Sequence, residues 1–539
     1  LLTDMTDMTD KNHAAADPLH SKSPSKELDP PRRAAVVLVF DRLQPAFLGP
    51  YGGTACETPA CNRLAAEGYV AEQCYADAAE LETVYRSYWS GQHALQHTPQ
   101  QALQHTPQHT PQHTPQHKSQ SARRQAQTQV SRVLSDSESA PAGQSLAERL
   151  EAAGVHTELL ADDPRVASHR WSEGFGQRLA IDHGASPATA DTAGAMRVAQ
   201  VLAAAAERWE QAERPALLWV HAAAWDDAWD APYEFRQQWA DPDDPEPPAF
   251  SEPPRRAAET PIDHDELLGY VQAYTGQIAA WDVCLEAFLE AFAASPLFDH
   301  ALLIVTAPRG YPLGEHGRVG DVPPALFNEL LQLPLFIRLP GGASPLVRDQ
   351  GLIQPADLYA TLLDWFAVAS EPTPRDATGC DSPGSATVLD DAAEPTMEDT
   401  SRFAYGTVWG RSLLPRLLAL PDLPRPLAVA TTPGQLAVRT PHWLLRVTDN
   451  VAAETPDNAQ YEPRSTARDM MPDGHQSASN LQEMLELFVK PDDRWEANEV
   501  SSRCVAEVQT LRSLAAALPP QHSIVDSPGQ FPAEPGAAG

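Results

Sequence analysis

The stretch "ALLIVTAPRGYPLGEHG", residues 301–317, decides how the chain is read. Its first six residues are an unbroken apolar run of strand length, the pattern of a strand buried on both faces. The loop that follows opens Ala307-Pro308-Arg309-Gly310, so a rigid turn and a cation stand at the strand's carboxyl end. In an open α/β sheet that end is where ligands bind. The chemistry therefore turns on what the other strand ends bring beside Arg309.

Outward from this stretch the pattern repeats. "AAVVLVF" (34–40) is a second continuous apolar strand. Thr58 followed by Pro59 marks a helix start, a capping side chain and then proline at the first helical position, and Gly68 ends that helix. Ser145 and Glu148 form a capping box before "LAERLEAA", which Gly154 terminates, and "VHTELLA" (155–161) is the next strand. A helix around 193–211 leads to strand "ALLWVH" (216–221), and a long amphipathic helix around 265–293 leads into 301–306. "LPLFIRLP" (333–340) reads as another short strand and "PADLYATLLDWFAV" (355–368) as a helix. Strands alternating with helices predict an α/β fold with a doubly wound, mostly parallel sheet over 34–429. A β-hairpin at 430–448 and helical stretches within 481–517 predict a small C-terminal α+β subdomain over 430–517.

Four segments resist this reading. The polar, Pro-containing 1–33 and the 518–539 tail are expected to be disordered, and 370–400 reads as a polar, acidic loop. Residues 93–135 carry a period-four His/Gln/Thr/Pro repeat, where recurrent proline forbids a helix and the polar residues cannot build a core. Its histidines 93, 97, 105, 109, 113 and 117 could chelate a transition metal, but a tract without fixed geometry reads as a flexible insertion.

Composition narrows the partners. The formal charge is 39 − 73 = −34, which repels phosphate backbones and anionic lipid, so neither nucleic acid nor a membrane surface is expected as a partner. No apolar run approaches the ~20 residues that span a bilayer, and no basic-then-apolar leader is visible, so a cytoplasmic location is the expectation. Six cysteines, at 56, 61, 74, 284, 380 and 504, are too sparse for a disulfide scaffold and show no zinc spacing.

Six segments in order carry a resemblance. "VVLVFDRLQPAFLGPYGGTACETPACNRLAAEG", "RSYWSGQHAL", "LLIVTAPRGYPLGEHG", "LPLFIRLPGG" with "ADLYATLLD", "WGRSLLPRLL" and "ELFVKPDDRWEANEV" together resemble the sulfatases of the alkaline phosphatase superfamily across about 34–510. The resemblance implies an alkaline-phosphatase-like sheet. It also implies sulfuric-ester hydrolysis by an activated nucleophile, a divalent cation held by converging carboxylates, and basic groups around the sulfate.

The family's site positions are mostly replaced. Asp41 matches the first metal-binding aspartate, and the second falls on Arg42. The nucleophile position falls on Leu81; Thr83, two residues on, is the only nearby nucleophile candidate. Tyr85 fills the place of the motif arginine, with Arg86 next to it. The Asp-His metal pair falls on Pro308-Arg309, the later lysine on Asp321, and a Lys-Trp-His segment on Ala161-Asp162-Asp163. Polar groups remain on the expected rim: His221, Asp226, Asp227, Asp230, Glu315 and His316. Trp225 and Trp229 could stack on a sugar or aryl group or pack against the scaffold.

Three readings follow. The first is a sulfatase-like pseudoenzyme or anion binder, with Arg86 and Arg309 as an anion fork and Asp41 as a vestigial, single surviving metal ligand. The implied ligand is a sulfated or other anionic small molecule. The second is an active, divergent sulfate- or phosphate-ester hydrolase using Thr83, or a water activated by Asp41, His221 or Asp226, with His316 nearby. The third is a structural or interaction protein. No cofactor is expected under the first reading; calcium or magnesium belongs to the second.

Overall fold

The computed structural model describes residues 33–96, 144–184, 188–212, 216–249, 251–257, 262–320, 325–343, 345–368, 410–422, 424–449 and 483–517. The repeat beyond residue 96, the 370–400 loop, residues 1–32 and 518–539, and Asp321 lie outside them.

Among the described residues the main sheet has nine strands. They are β1 (Ala34–Phe40), β2 (Tyr69–Tyr75), β3 (His156–Ala161), β4 (Gln177–Ala180), β5 (Ala216–Ala222), β6 (Ala301–Thr306), β7 (Gln332–Leu333), β8 (Leu335–Arg338) and β9 (Val347–Ile353). The order is β4-β3-β5-β1-β6-β8-β2-β7, with β9 beside β2. The first five of these strands run parallel, while β8 runs antiparallel to β6 and β2.

The apolar runs are continuous because both faces are covered. Ala35, Val37, Val39, Trp219 and Ile304 point into one core, with the helices Leu81–Ser90 and Pro355–Trp365. Val36, Leu38, Phe40, Leu218 and Val305 point into the other, with the helices Pro59–Glu67, Arg197–Glu210 and His264–Ala294. Alternate residues of one strand thus feed opposite cores, as the two-residue repeat of a pleated strand requires.

Of three local expectations, one forms as read and two change. The capping box at Ser145 and Glu148 forms in both directions, 2.7 and 3.1 Å. Thr58, expected to cap the helix Pro59–Glu67, instead accepts a hydrogen bond from the Gly49 amide, 2.9 Å. The helix's free amides at Ala60 and Cys61 are met by the buried Asp282 carboxylate, at 2.8 and 3.0 Å, which supplies the acceptor that a helix start needs. The long helix is not amphipathic throughout: from Gln272 to Asp282 every residue is buried, because the sheet and neighbouring helices surround it.

The C-terminal region forms a separate antiparallel sheet of β10 (Ala428–Thr432), β11 (Gln435–Arg439), β12 (Trp443–Thr448) and β13 (Met484–Val489). The helix Val505–Ala517 packs on it through Val508, Leu511 and Leu514. β13 lies in the 481–517 region, where the sequence reading placed helical stretches and named no strand; it pairs with β12 along its whole length. Among the described residues no helix is long and apolar enough to cross a membrane.

Candidate functional site

Register brings four strand ends together. Val39 of β1 lies opposite His221 of β5 and Thr306 of β6, and His221 lies opposite Ala161 of β3. Asp41 and Arg42 therefore leave β1 beside Arg309 after β6, His221 and Asp226 at and after β5, and Asp163 and Arg165 after β3. This is the strand-end crevice where α/β sheets place their ligands.

Here the crevice is filled by the protein's own charges. Arg309 donates from Nε and Nη2 to the two oxygens of Asp41, at 2.9 and 2.8 Å. Its Nη2 also reaches Asp226 at 3.2 Å. Arg42 donates from Nε to the other Asp226 oxygen, 3.0 Å. Arg165 spans Asp163 at 2.5 Å and Asp226 at 2.6 Å, and lies 3.8 Å from Asp41. Three guanidiniums thus meet three carboxylates. Asp41 is fully buried, and Arg42 and Arg309 are nearly so; the Arg165 side chain is 40% exposed and lies over the cluster.

The electrostatics follow from that pairing. Burial alone would raise the Asp226 carboxyl, but Arg309, Arg42 and Arg165 together hold it well below the usual carboxylate range. Burial opposes Asp163 in the same way, and its bonds with Arg165 outweigh it, so this carboxyl too is lowered. Arg309 is desolvated, yet Asp41 and Asp226 hold its proton more firmly than usual. Arg42 sits at φ 69°, a left-handed conformation costly for a side chain of this size. There its amide donates to the Arg309 carbonyl, 3.0 Å, and its own carbonyl accepts from Tyr274 Oη, 2.6 Å. Gly310 keeps the loop close: a Cβ there would stand 2.1 Å from the Glu329 carbonyl oxygen.

The other candidates separate. His221 joins the cluster, fully buried, with Nδ1 2.5 Å from Tyr85 Oη and Nε2 3.9 Å from Asp163. Burial lowers its basicity, against the pull of Asp41, Asp162 and Asp163. His316 does not join it. That ring stacks on Phe327, centroids 3.9 Å apart, and its Nδ1 meets Glu329 at 2.8 Å. Glu315 accepts from Gln44 Nε2 at 3.0 Å. On the helix Leu81–Ser90, Leu81 is in the core and Thr83 is half-buried, while Tyr85 is the residue that touches His221. Arg86 faces Asp77 and His169 electrostatically. The fork foreseen for an external anion is thus, at Arg309, a fork on Asp41. Trp225 and Trp229 are buried among Tyr274, Trp281 and Tyr311 and present no face to a ligand.

Sequence reasoning missed Arg165, Asp163 and Tyr85 as members of the cluster. A partial signal existed: each of the four adjacent strand ends carries a charged side chain within a few residues.

The family model described as Sulfatase matches residues 33–368, more than half of the chain. The chain belongs to the sulfatase family. Among curated protein sequences no relative matches. A protein solved in complex with its substrate D-glucosamine-2-N,6-O-disulfate is 14% identical with TM-score 0.58, over 90% of this chain and 97% of that one. The phosphonate monoester hydrolase of Agrobacterium radiobacter is 13% identical with TM-score 0.59, over 90% and 96%. A 2-O glycosaminoglycan sulfatase is 13% identical with TM-score 0.54, over 90% and 92%. At these identities the likeness is one of fold.

The family implies a divalent cation, and the residues can be tested against it. Asp41, Asp163 and His221 each offer one ligand atom, all within 4.8 Å of one another. However, both Asp41 oxygens already accept from Arg309, and Asp163 is engaged by Arg165. Calcium takes six to eight oxygens; this set offers two carboxylates and one imidazole, ringed by three guanidiniums. The paired charges cancel, and a divalent ion would leave two positive charges uncompensated in a buried site. The residues do not fit the family's cation.

Proposed function

We propose that this chain is a sulfatase-family pseudoenzyme, which keeps the fold and has exchanged the metal-dependent ester-hydrolysing centre for a closed ion-pair cluster. The observation that carries the reading is the two-pronged bond of Arg309 on Asp41. A guanidinium supplies positive charge to that carboxylate, as a cation would, but offers no open coordination position for substrate or water. Leu81 at the nucleophile position has no atom that can attack an ester. Arg165 lies over the cluster, so a sulfated or other anionic small molecule could reach Arg309 only by displacing Asp226 or Asp41.

One observation favours a second reading, a divergent sulfate- or phosphate-ester hydrolase. His221 Nε2 is buried without a hydrogen-bond partner among the described residues and faces Asp163. A water held between them would have a general base beside it. The experiment is turnover of aryl sulfate and aryl phosphate esters by the purified protein, beside Asp41→Ala, Thr83→Ala and His221→Ala. The pseudoenzyme reading expects background rates in all four. Hydrolysis by wild type that is lost in His221→Ala or Thr83→Ala establishes the second reading.

A further inference from the structure

Beside the strand-end cluster, on the turn that follows β4, His183 sits between two acceptors. Its Nε2 lies 3.1 Å from Asp162 Oδ2, and its Nδ1 lies 3.3 Å from Gln200 Oε1. The side chains of His183 and Asp162 are 6% and 2% exposed. The Gln200 amide is oriented by its other end: Nε2 donates to the Ala195 carbonyl at 3.3 Å, which turns Oε1 toward the ring. An ionised carboxylate only accepts, and so does an amide oxygen. Both ring nitrogens must therefore donate, and only the imidazolium carries two N–H groups. A neutral ring would keep one donor and turn a lone pair on one of the two acceptors.

The charges around the ring come from three directions. Asp162, after β3, is the anion in contact with it. Arg197, on the helix Arg197–Glu210 that also carries Gln200, opposes the imidazolium, but its guanidinium is paired with Asp227 and reaches the Gly184 carbonyl at 3.5 Å. Asp182, on the same turn as His183, is exposed and accepts from the Gly184 amide at 2.9 Å. The bond to Asp162 is the largest influence and holds the ring's proton more firmly than usual, against burial and Arg197.

The ring joins elements that are otherwise lightly tied. Asp162 Oδ1 accepts from the Ala223 amide at 2.7 Å, so the same carboxylate holds the end of β5. The Ile181 amide donates to the Ala161 carbonyl at 2.9 Å, next to Asp162. One imidazolium thus links the turn after β4 to the loops after β3 and β5 and to the helix Arg197–Glu210. Those two loops carry Asp163, Arg165 and Asp226 of the charge cluster.

We propose that His183 is a proton-operated clasp on the rim of the strand-end crevice, closed while the ring carries both protons and released when one leaves. The clasp holds whether the cluster beside it is inert or catalytic, so its test reads no turnover. A ring that binds its proton more firmly in the folded state contributes stability fully below the ordinary value of 6.5. That contribution is lost as pH rises through the ring's own, higher pKa. In histidine-labelled protein, the ring signal that vanishes in His183→Gln is expected to titrate above 6.5. Hydrogen-exchange protection of a peptide spanning Ile181–Gly184, corrected for the intrinsic rate, is followed from about pH 6 to about pH 9. It is expected to fall about tenfold for each unit by which the ring stands above its ordinary value, and to stay level in His183→Gln. Asp162→Asn, which keeps an acceptor for the Ala223 amide, is expected to return the ring to its ordinary value and to abolish the fall. It also assigns the ring signal if His183→Gln does not fold. A ring that titrates at or below 6.5 overturns the proposal. So does protection that stays level in the wild type, or that falls equally in either variant.

Discussion

Replacing Arg309 by leucine is expected to lower stability by about 3–5 kcal/mol, the cost of leaving a buried charge without its partner. Asp41 is fully buried, and the fork from Arg309 supplies two close bonds to it, while Arg165 stands farther off at 3.8 Å. The check is the midpoint of urea unfolding. A double variant, Asp41→Leu with Arg309→Leu, is expected to recover most of the loss, because removing both partners removes the orphaned charge as well. A purely steric role for Arg309 predicts the opposite order, with the double variant the less stable. If instead Asp41 serves a bound metal, Arg309→Leu should leave the metal-loaded protein near wild-type stability.

Trp225→Ala is expected to cost about 3–5 kcal/mol, the range for an aromatic truncated to alanine in a packed core. The indole is 1% exposed and meets the rings of Tyr274 and Trp281, at centroid distances of 5.8 and 5.5 Å. Its backbone carbonyl also accepts from Trp229 Nε1, 3.0 Å, so the loop after β5 closes on itself. A tryptophan that stacked on a sugar would be exposed in the free protein and would lose affinity rather than stability. A shift of the urea midpoint below what about 1 kcal/mol produces would return Trp225 to the candidate ligand-binding residues.

The sheet was legible because its signals are local. The runs 34–40, 216–221 and 301–306 announce buried strands by themselves, and β1, β5 and β6 fall on them. Ser145 and Glu148 likewise cap their helix within four residues. The cap of the helix Pro59–Glu67 was not legible, since Asp282 lies more than two hundred residues away. The strand-end cluster divides the same way. Asp41, Arg309 and His221 could be placed at strand ends, and the replacement of a metal-binding pair by Pro308-Arg309 read as a change of charge sign. What Arg309 pairs with could not be read, because its partners Asp41 and Asp226 lie 268 and 83 residues away. Arg165 follows β3 in a segment that departs from the family pattern, so the resemblance gave it no role. His316 keeps its place in the motif "GEHG", yet its ring belongs to Phe327 and Glu329, a partnership made by packing rather than by motif.

The central claim is that Arg309 stands where the family's cation would act. Calorimetric titration of the purified, chelator-treated wild-type protein with calcium tests it most directly. No saturable heat is expected, since both oxygens of Asp41 are engaged and a divalent ion would add charge to a cluster that is already neutral. A stoichiometric calcium site of sub-micromolar affinity, abolished in Asp41→Ala, would contradict the account.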